Sequence, residues 1–158
     1  MIDAILRPAT PADAVYVANV YLISRRTFLA FAPLAHSDDD VRNLVTNVLV
    51  PSGGVSVAVA RGSEEDVVGM MAVSRAGQIG WVDHLYLAPA VVGRGLGTRF
   101  IARAKETLGS PIRLYTFQAN ADAQRFYERH GFRVLELTNG EGNEELCPDV
   151  LYEWTTAT

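Results

Sequence analysis

The sequence predicts an α/β fold in which helices pack on both faces of a mixed central sheet of about seven strands. Helical and strand-like segments alternate along the chain in the order β-α-α-β-β-β-α-β-α-β-β, which is typical of helices layered on a sheet. The 158 residues suit one domain with its own core, and 49% hydrophobic with 20% charged residues is typical of a soluble globular protein. We therefore expect a single domain over residues 1–158.

The first third of the chain predicts one strand followed by two helices. Residues 3–7 form a short strand. The threonine–proline pair at 10–11 has the cap and first-turn proline that begin a helix, which ends before Pro33. A second helix begins at Ser37, where the acidic residues that follow it favour the positive end of the helix dipole. The glycine-containing segment 51–54 then forms a turn.

Strand-like segments dominate the middle of the chain, and two further helices interrupt those of the last third. Residues 55–60 and 67–73 predict a hairpin around a polar turn at 61–66. The remaining predicted elements are a strand at 79–87, a helix at 96–108, a strand at 112–117, a helix at 121–130 that Gly131 closes, and strands at 132–138 and 149–155 around a polar segment at 138–145.

Composition excludes several classes of protein. A net charge of −4 argues against nucleic-acid binding, because phosphate recognition usually requires a basic surplus. No apolar run approaches the roughly 18 residues of a membrane span, and the N-terminal residues lack the pattern of a signal peptide, so we expect a cytoplasmic protein that does not bind membranes. The single cysteine, Cys147, excludes a disulfide framework and a cysteine-based zinc cluster, and the three scattered histidines predict no metal site.

A glycine-rich segment lies between the strand at 79–87 and the helix at 96–108. We call this segment, Val92-Gly93-Arg94-Gly95-Leu96-Gly97-Thr98, the glycine loop. Its glycines let the backbone approach a ligand, and the N–H groups that begin the helix favour an anion such as pyrophosphate. The alternative is a tight turn that needs glycine for its own geometry.

The glycine loop matches neither common nucleotide-binding motif. It lacks the Gly-Lys-Ser/Thr of a Walker loop. Thr98 stands where the dinucleotide fingerprint requires a glycine, and the loop follows the fourth predicted strand instead of the first. A nicotinamide-dependent oxidoreductase is therefore disfavoured.

The glycine loop and a downstream segment together resemble the Gcn5-related N-acetyltransferase (GNAT) family. Gly95 and Gly97 match the two glycines of the family's Arg/Gln-x-x-Gly-x-Gly/Ala signature, whereas Val92 departs from its Arg/Gln position. Residues 120–132 resemble the family's Asn-x-x-Ala-x-x-Phe-Tyr-Glu-x-x-Gly-Phe segment. The resemblance runs from about residue 7 to residue 154 and implies the GNAT fold.

The resemblance implies acetyl-CoA as the co-substrate and a specific place for it. The fourth and fifth strands would part, and the pantetheine arm would pair with the backbone of the fourth strand. Residues 93–98 would hold the pyrophosphate, and Asn120 would contact the cofactor near its pantetheine arm. The implied acetyl-CoA-binding residues are Leu85, Tyr86, Leu87, Val92, Gly93, Arg94, Gly95, Leu96, Gly97, Thr98 and Asn120.

Three residues are candidates for the chemistry. The resemblance implies that Tyr127 protonates the departing CoA thiolate, and the alternative is that it packs in the core on the apolar stripe of its helix. Asp83 or His84 could take the proton of the attacking amine, although either could equally be a structural hydrogen-bonding group. Strand alternation places Asp83 and His84 on opposite faces, so we expect only one of them to reach the substrate.

The expected activity is transfer of the acetyl group of acetyl-CoA to a primary amine of a small molecule or polypeptide. We expect direct attack by the amine, because Cys147 has no evident base partner for a covalent step. The acidic segment 139–145 would either recognise a cationic acceptor or form a solvated turn. The alternative from another class is a non-catalytic acyl-CoA-binding sensor with the same fold. The family includes monomers and homodimers, and both remain open.

Overall fold

The described residues, 2–62 and 66–156 of a computed structural model, contain seven strands in one mixed sheet. The strands are β1 (Ala4–Pro8), β2 (Val55–Ala60), β3 (Val67–Ala76), β4 (Ile79–Leu87), β5 (Ile112–Phe117), β6 (Arg133–Leu137) and β7 (Asp149–Trp154). Their spatial order is β1-β2-β3-β4-β5-β7-β6, and every neighbouring pair is antiparallel except β4 and β5. The predicted fold class is confirmed. Part of the predicted 61–66 turn, residues 63–65, lies outside the described residues.

The helices in this part of the chain are α1 (Ala14–Phe28), α2 (Asp38–Leu44), α3 (Leu96–Leu108) and α4 (Ala121–Arg129). A 3₁₀ turn at Pro11–Asp13 leads into α1, and a π-helical segment at Val45–Leu49 extends α2. The second helix is thus shorter as an α-helix than the sequence predicts. Strand β3 is longer than predicted and runs to Ala76, because Gly77, with φ of 62°, makes a tight turn directly into β4.

The two faces of the sheet carry separate cores. On one face, α3 buries Leu96, Phe100 and Ile101 against strand residues that include Ile112 and Leu114. On the other face, residues of α1 and α2 bury a second cluster with side chains of β2 and β3. Each fully buried large apolar side chain contributes about 1.5–3 kcal/mol. Hydrophobic burial therefore fixes the helices on both faces, as predicted.

Strand β4 contains a β-bulge at Asp83. Ala72 of β3 lies opposite His84, whereas the next residue, Val73, lies opposite Val82, so Asp83 has no partner on β3. The extra residue shifts the alternation of side chains. Val82 and Leu85 consequently belong to the same core cluster beneath α3.

The expected placement of Asp83 and His84 on opposite faces is wrong because of this bulge. Since Val82 and Leu85 both pack on the α3 side, the two residues between them lie on the α1 side. His84 accordingly contacts the ring of Tyr21 from α1. Both Asp83 and His84 can therefore serve the same half of a site.

Strands β4 and β5 part shortly after they begin to pair. Within the described residues their register consists of two pairs, Gly80 with Ile112 and Trp81 with Arg113. Beyond these pairs, β5 continues against β7 while residues 82–87 of β4 continue against β3. The parting confirms the gap that the family resemblance implies, and it leaves one backbone edge of β4 free.

Candidate active site

A cleft of about 1440 Å³ opens where β4 and β5 part. Its walls come from α1, the segment after α1, β4, the glycine loop, the end of β5, α4 and the segment between β6 and β7. Twelve of the fourteen predicted site residues line it, namely Asp83, His84, Leu85, Tyr86, Leu87, Val92, Gly93, Gly95, Gly97, Thr98, Asn120 and Tyr127. The structure therefore brings residues from distant parts of the sequence to one place.

The other two predicted residues, Arg94 and Leu96, are placed differently. The backbone carbonyl of Arg94 accepts a hydrogen bond of 3.4 Å from the N–H of Ile2. The side chain of Leu96 is completely buried in the core beneath α3. Leu96 thus anchors the start of α3, and only its backbone N–H can serve a ligand.

The glycine loop has the geometry of an anion-binding site. Gly93 and Gly95 have φ of 79° and 89°, in the left-handed region where a side chain is strained. Gly95 is the N-cap of α3. The N–H groups of the first turn, at residues 96–98, have no partner four residues earlier in the helix. They carry the partial positive charge of the helix terminus, which favours a phosphate group.

Gly97 serves helix packing as well as the loop. A Cβ atom at this position would lie 3.0 Å from Cζ of Phe126 on α4. The absence of a side chain therefore lets α3 approach α4 closely. The glycine of the loop and the Phe-Tyr pair of the downstream segment meet at this contact, which holds Tyr127 near the loop.

Two loop side chains have roles other than direct support of a phosphate. The side chain of Val92 is exposed. Because it is apolar, it provides none of the polar support that Arg or Gln would give. The hydroxyl of Thr98 lies 3.2 Å from Nε2 of His130, and the backbone carbonyl of His130 accepts a hydrogen bond of 2.6 Å from Lys105. Thr98 therefore joins α3 to the end of α4, and its N–H remains available to a ligand.

Tyr127 is both a packing residue and a cleft residue. Its ring lies edge-on to Phe126 and Phe132, with centroids 5.2 and 5.7 Å apart. The ring also lines the cleft. Burial raises the pKa of Tyr127 above the usual value, and the neighbouring Tyr86 adds to the rise. The phenol therefore stays protonated at neutral pH, which an acid requires.

Asn120 caps α4 at the other side of the gap. Its Oδ1 accepts a hydrogen bond of 3.2 Å from the N–H of Ala123. The cap orients the side chain, and the residue lines the cleft. The conformation thus gives Asn120 a structural role and leaves its amide NH₂ for a ligand.

His84 and Asp83 differ in their surroundings. The imidazole of His84 packs against Tyr21 and Tyr86, with ring centroids 5.1 and 5.8 Å away. Burial lowers the pKa of His84, although the nearby Asp83 carboxylate partly opposes this effect. Asp83 is exposed, and no hydrogen bond or ion pair joins its side chain to the described part of the chain. A neutral base and a free carboxylate therefore lie side by side.

The wall of the cleft contains a largely buried ion pair that the sequence analysis missed. Arg25 of α1 donates a hydrogen bond of 3.2 Å to Glu145 and one of 2.9 Å to the carbonyl of Ala32. Its guanidinium also lies 5.8 Å from the ring centroid of Phe117. The pair joins residues 120 positions apart in sequence, so no local pattern could have revealed it.

The acidic segment 139–145 is anchored at its end. Glu145 is held by Arg25, and in its neighbour Glu144 the carboxylate oxygen Oε2 lies 2.7 Å from Nε2 of His36. These two pairs hold the segment against α1 and the residues after it. The segment therefore forms a wall of the cleft, and the carboxylate of Glu145 partly neutralises the guanidinium of Arg25.

Across residues 2–62 and 66–156, no three His, Cys, Asp or Glu side chains converge in a way that could hold a metal ion. The helices of the same residues all lack the length and apolar character that crossing a membrane requires.

The chain has both sequence and structural likeness to known proteins. The model of the acetyltransferase (GNAT) family matches residues 19–132, which include the cleft residues of β4, the glycine loop and α4. No curated protein matches the chain in sequence.

Several solved structures share the fold over almost the whole chain. The apo form of YjaB from Escherichia coli has 20% identity and a TM-score of 0.75, with 99% of this chain and 100% of that one covered. The PaiA N-acetyltransferase of Thermoplasma acidophilum, solved with coenzyme A, has 17% identity and a TM-score of 0.75, with 98% and 100% covered. Ard1 from Thermoplasma volcanium has 16% identity and a TM-score of 0.73, with 99% and 100% covered. These TM-scores show a common fold.

Proposed function

Because this chain belongs to the GNAT family of acetyltransferases, we propose that it transfers the acetyl group of acetyl-CoA to a primary amine of a small molecule or polypeptide. The observation that carries the proposal is the parting of β4 and β5 beside the glycine loop, with Tyr127 facing the gap. A structural neighbour that was solved with coenzyme A supports an acyl-CoA as the co-substrate.

The free edge of β4 and the start of α3 fit the two ends of the co-substrate. The N–H groups of residues 96–98 bind the pyrophosphate. The backbone groups of Leu85, Tyr86 and Leu87 have no strand partner on the β5 side, so they pair with the amides of the pantetheine arm. Acetyl-CoA supplies the activated acetyl group as a thioester when it is bound there.

His84 and Tyr127 divide the proton transfers. His84 accepts the proton that the amine loses as the amine nitrogen bonds to the acetyl carbon, because its neutral imidazole has a free lone pair. Tyr127 donates its phenolic proton to the sulfur as the C–S bond breaks. Direct attack needs no covalent enzyme step, and Cys147 has no part in it. Asp83, beside His84, attracts the protonated amine before it reacts.

The first test combines calorimetric titration with acetyl-CoA and a thiol-release assay over a panel of amines and N-terminal peptides. We expect binding, and thiol release with one class of amine. In Tyr127→Phe we expect unchanged acetyl-CoA affinity and a kcat lowered about 100-fold, since a general acid contributes roughly that factor or more. Tyr16→Phe is the matched control, because Tyr16 is partly buried against the core of α1 and is not among the described residues that line the cleft.

Each outcome discriminates between the proposals. Wild-type turnover in Tyr127→Phe would remove the acid from the mechanism. Binding of acetyl-CoA without thiol release from any amine would favour the acyl-CoA-binding sensor, for which the departure at Val92 is the supporting feature. Failure to bind acetyl-CoA would contradict the assignment of the glycine loop.

A further inference from the structure

Two aromatic rings stack on the sheet where β4 and β5 part: Trp81 is half-buried, and Tyr115 is exposed and lines the cleft. Trp81 of β4 and Tyr115 of β5 have ring centroids 5.8 Å apart and planes only 14° from parallel. Tyr115 is 53% exposed, although β5 lies between two other strands of the sheet. The exposed ring of Tyr115 offers a face on which another aromatic ring can stack, and exposed apolar surface beside a cleft often marks a binding site.

The stack lies on the α1 side of the sheet, beside the free carboxylate of Asp83. Trp81 is the last residue of β4 that pairs with β5, and its partner is Arg113. Asp83 and Tyr115 each follow two residues later on their strands, so alternation places both on the face that carries the stack. Tyr115 and Asp83 also line the cleft. The rings and the carboxylate therefore flank the point where the strands part.

Further aromatic side chains lie at the end of α1 and the end of β5. Phe28 lines the cleft and is 43% exposed, and Phe31, which follows α1, is 42% exposed. Phe31 lies edge-on to Phe117 of β5, with ring centroids 5.8 Å apart. An aliphatic polyamine could pair with the carboxylates in this half of the cleft, but it would make no stacking contact with these rings. The rings therefore favour an acceptor that is itself aromatic.

The adenine of CoA is not the partner of these rings. The glycine loop and α4 lie against the other face of the sheet, where α3 covers its own core cluster. The stack instead occupies the face that carries His84 and Asp83. The stack therefore lies on the side of the cleft where the acceptor would bind.

We propose that the acceptor is a primary amine that carries an aromatic ring on a short linker; this proposal rests on the proposed acetyltransferase function. The ring lies on Tyr115, the cleft-lining member of the Trp81–Tyr115 stack, and the protonated amine pairs with Asp83 before His84 takes its proton. Two strand residues, from Trp81 to Asp83, rise about 6.6 Å, which suits a ring and an amine that are joined by about two carbons.

A binding test can use the fluorescence of Trp81. The sequence contains two tryptophans, so Trp154→Phe leaves Trp81 as the single indole. We expect 2-phenylethylamine to change this fluorescence saturably, whereas n-butylamine, which has the same charge and no ring, has no effect over the same concentrations. In Tyr115→Ala the dissociation constant for 2-phenylethylamine should rise about tenfold, since the stacking partner is lost. Tyr115→Phe keeps the ring and should stay within about twofold of the parent.

The same variants separate the acceptor from the chemistry in thiol-release assays. Tyr115→Ala should raise KM for 2-phenylethylamine about tenfold and leave KM for n-butylamine and the affinity for acetyl-CoA unchanged. Tyr115→Leu retains apolar bulk without a stacking face and should behave like Tyr115→Ala. If Tyr115→Ala fails to fold by circular dichroism, Tyr115→Leu and Tyr115→Phe still decide the question.

Several results would overturn the inference. One is that Tyr115→Ala and Tyr115→Leu raise KM for 2-phenylethylamine and KM for n-butylamine by the same factor. Another is that they change neither KM. Another is turnover of linear amines or peptides with no binding of 2-phenylethylamine, which would leave the acetyltransferase function intact. Absence of acetyl-CoA binding and of all turnover would instead contradict the proposed function, and the fluorescence titration would still report on the ring site by itself.

Discussion

At His84, burial and a neighbouring charge act on one imidazole in opposite directions. Burial between Tyr21 and Tyr86 disfavours the imidazolium and lowers the pKa, whereas the Asp83 carboxylate favours it. Burial has the larger effect. The histidine is therefore neutral at physiological pH, and a neutral imidazole that lines the cleft can accept a proton without first losing one.

This balance predicts the pH dependence of the reaction. The unprotonated form of His84 is present above its lowered pKa, so kcat/KM for the amine should fall as the pH drops through an apparent pKa below about 6.5. In His84→Gln we expect the rate to fall about 100-fold and this acidic limb to disappear. The measurement is kcat/KM from pH 5 to 9 with two amines of different basicity. A limb that moves with the pKa of the amine would belong to the substrate and contradict the assignment to His84.

At the scale of elements, periodicity predicts most of the fold. Apolar spacing and capping residues placed α1, α3 and α4 and all the strands close to their observed bounds, because each pattern depends on neighbouring residues. The bulge at Asp83 could not be predicted, since it depends on how β3 pairs with β4 and not on β4 alone. That single extra residue brings Asp83 and His84 to one face, which simple alternation excludes.

The contact of Gly97 with Phe126 gives the element-scale prediction. In Gly97→Val, Cβ would lie 3.0 Å from the ring and the added methyl groups would force α3 and α4 apart. We expect a loss of about 2 kcal/mol in the free energy of unfolding and a lower kcat, because Tyr127 moves with α4. Urea denaturation and thiol release measure the two effects.

A second variant identifies the cause of the Gly97→Val effect. Phe126→Leu removes part of the ring that the valine meets, so Gly97→Val with Phe126→Leu should cost less than the sum of the single changes. Strict additivity would show that the two side chains do not interact and would contradict the close approach of the helices.

At the scale of the whole molecule, the cleft depends on contacts between distant parts of the chain. The wall formed by the segment between β6 and β7 is held to α1 by the Arg25–Glu145 pair and to the residues after α1 by the His36–Glu144 contact. The half of the cleft that we propose for acetyl-CoA follows from the sequence, because the glycine loop and residues 120–132 each form a local pattern. The half that we propose for the acceptor does not, because Arg25, Tyr115 and Glu145 come to one cleft only through the tertiary fold.

The buried pair therefore predicts a large and coupled effect on stability. The side chains of Arg25 and Glu145 are only 7% and 16% exposed, so removal of either one leaves the other charge without its partner in a site of low polarity. We expect Arg25→Met and Glu145→Gln each to lower the free energy of unfolding by about 3 kcal/mol, and the double variant to lose less than the sum. Urea denaturation of the four proteins measures the coupling.

The neighbouring residue on α1 supplies the control for this prediction. Arg26 pairs with Asp38, but both side chains are largely exposed, so water screens the attraction. Arg26→Met should cost no more than about 0.5 kcal/mol although it removes the same kind of charge from the same helix. If Arg25→Met were no more costly than Arg26→Met, the pair would not hold the acceptor wall in place.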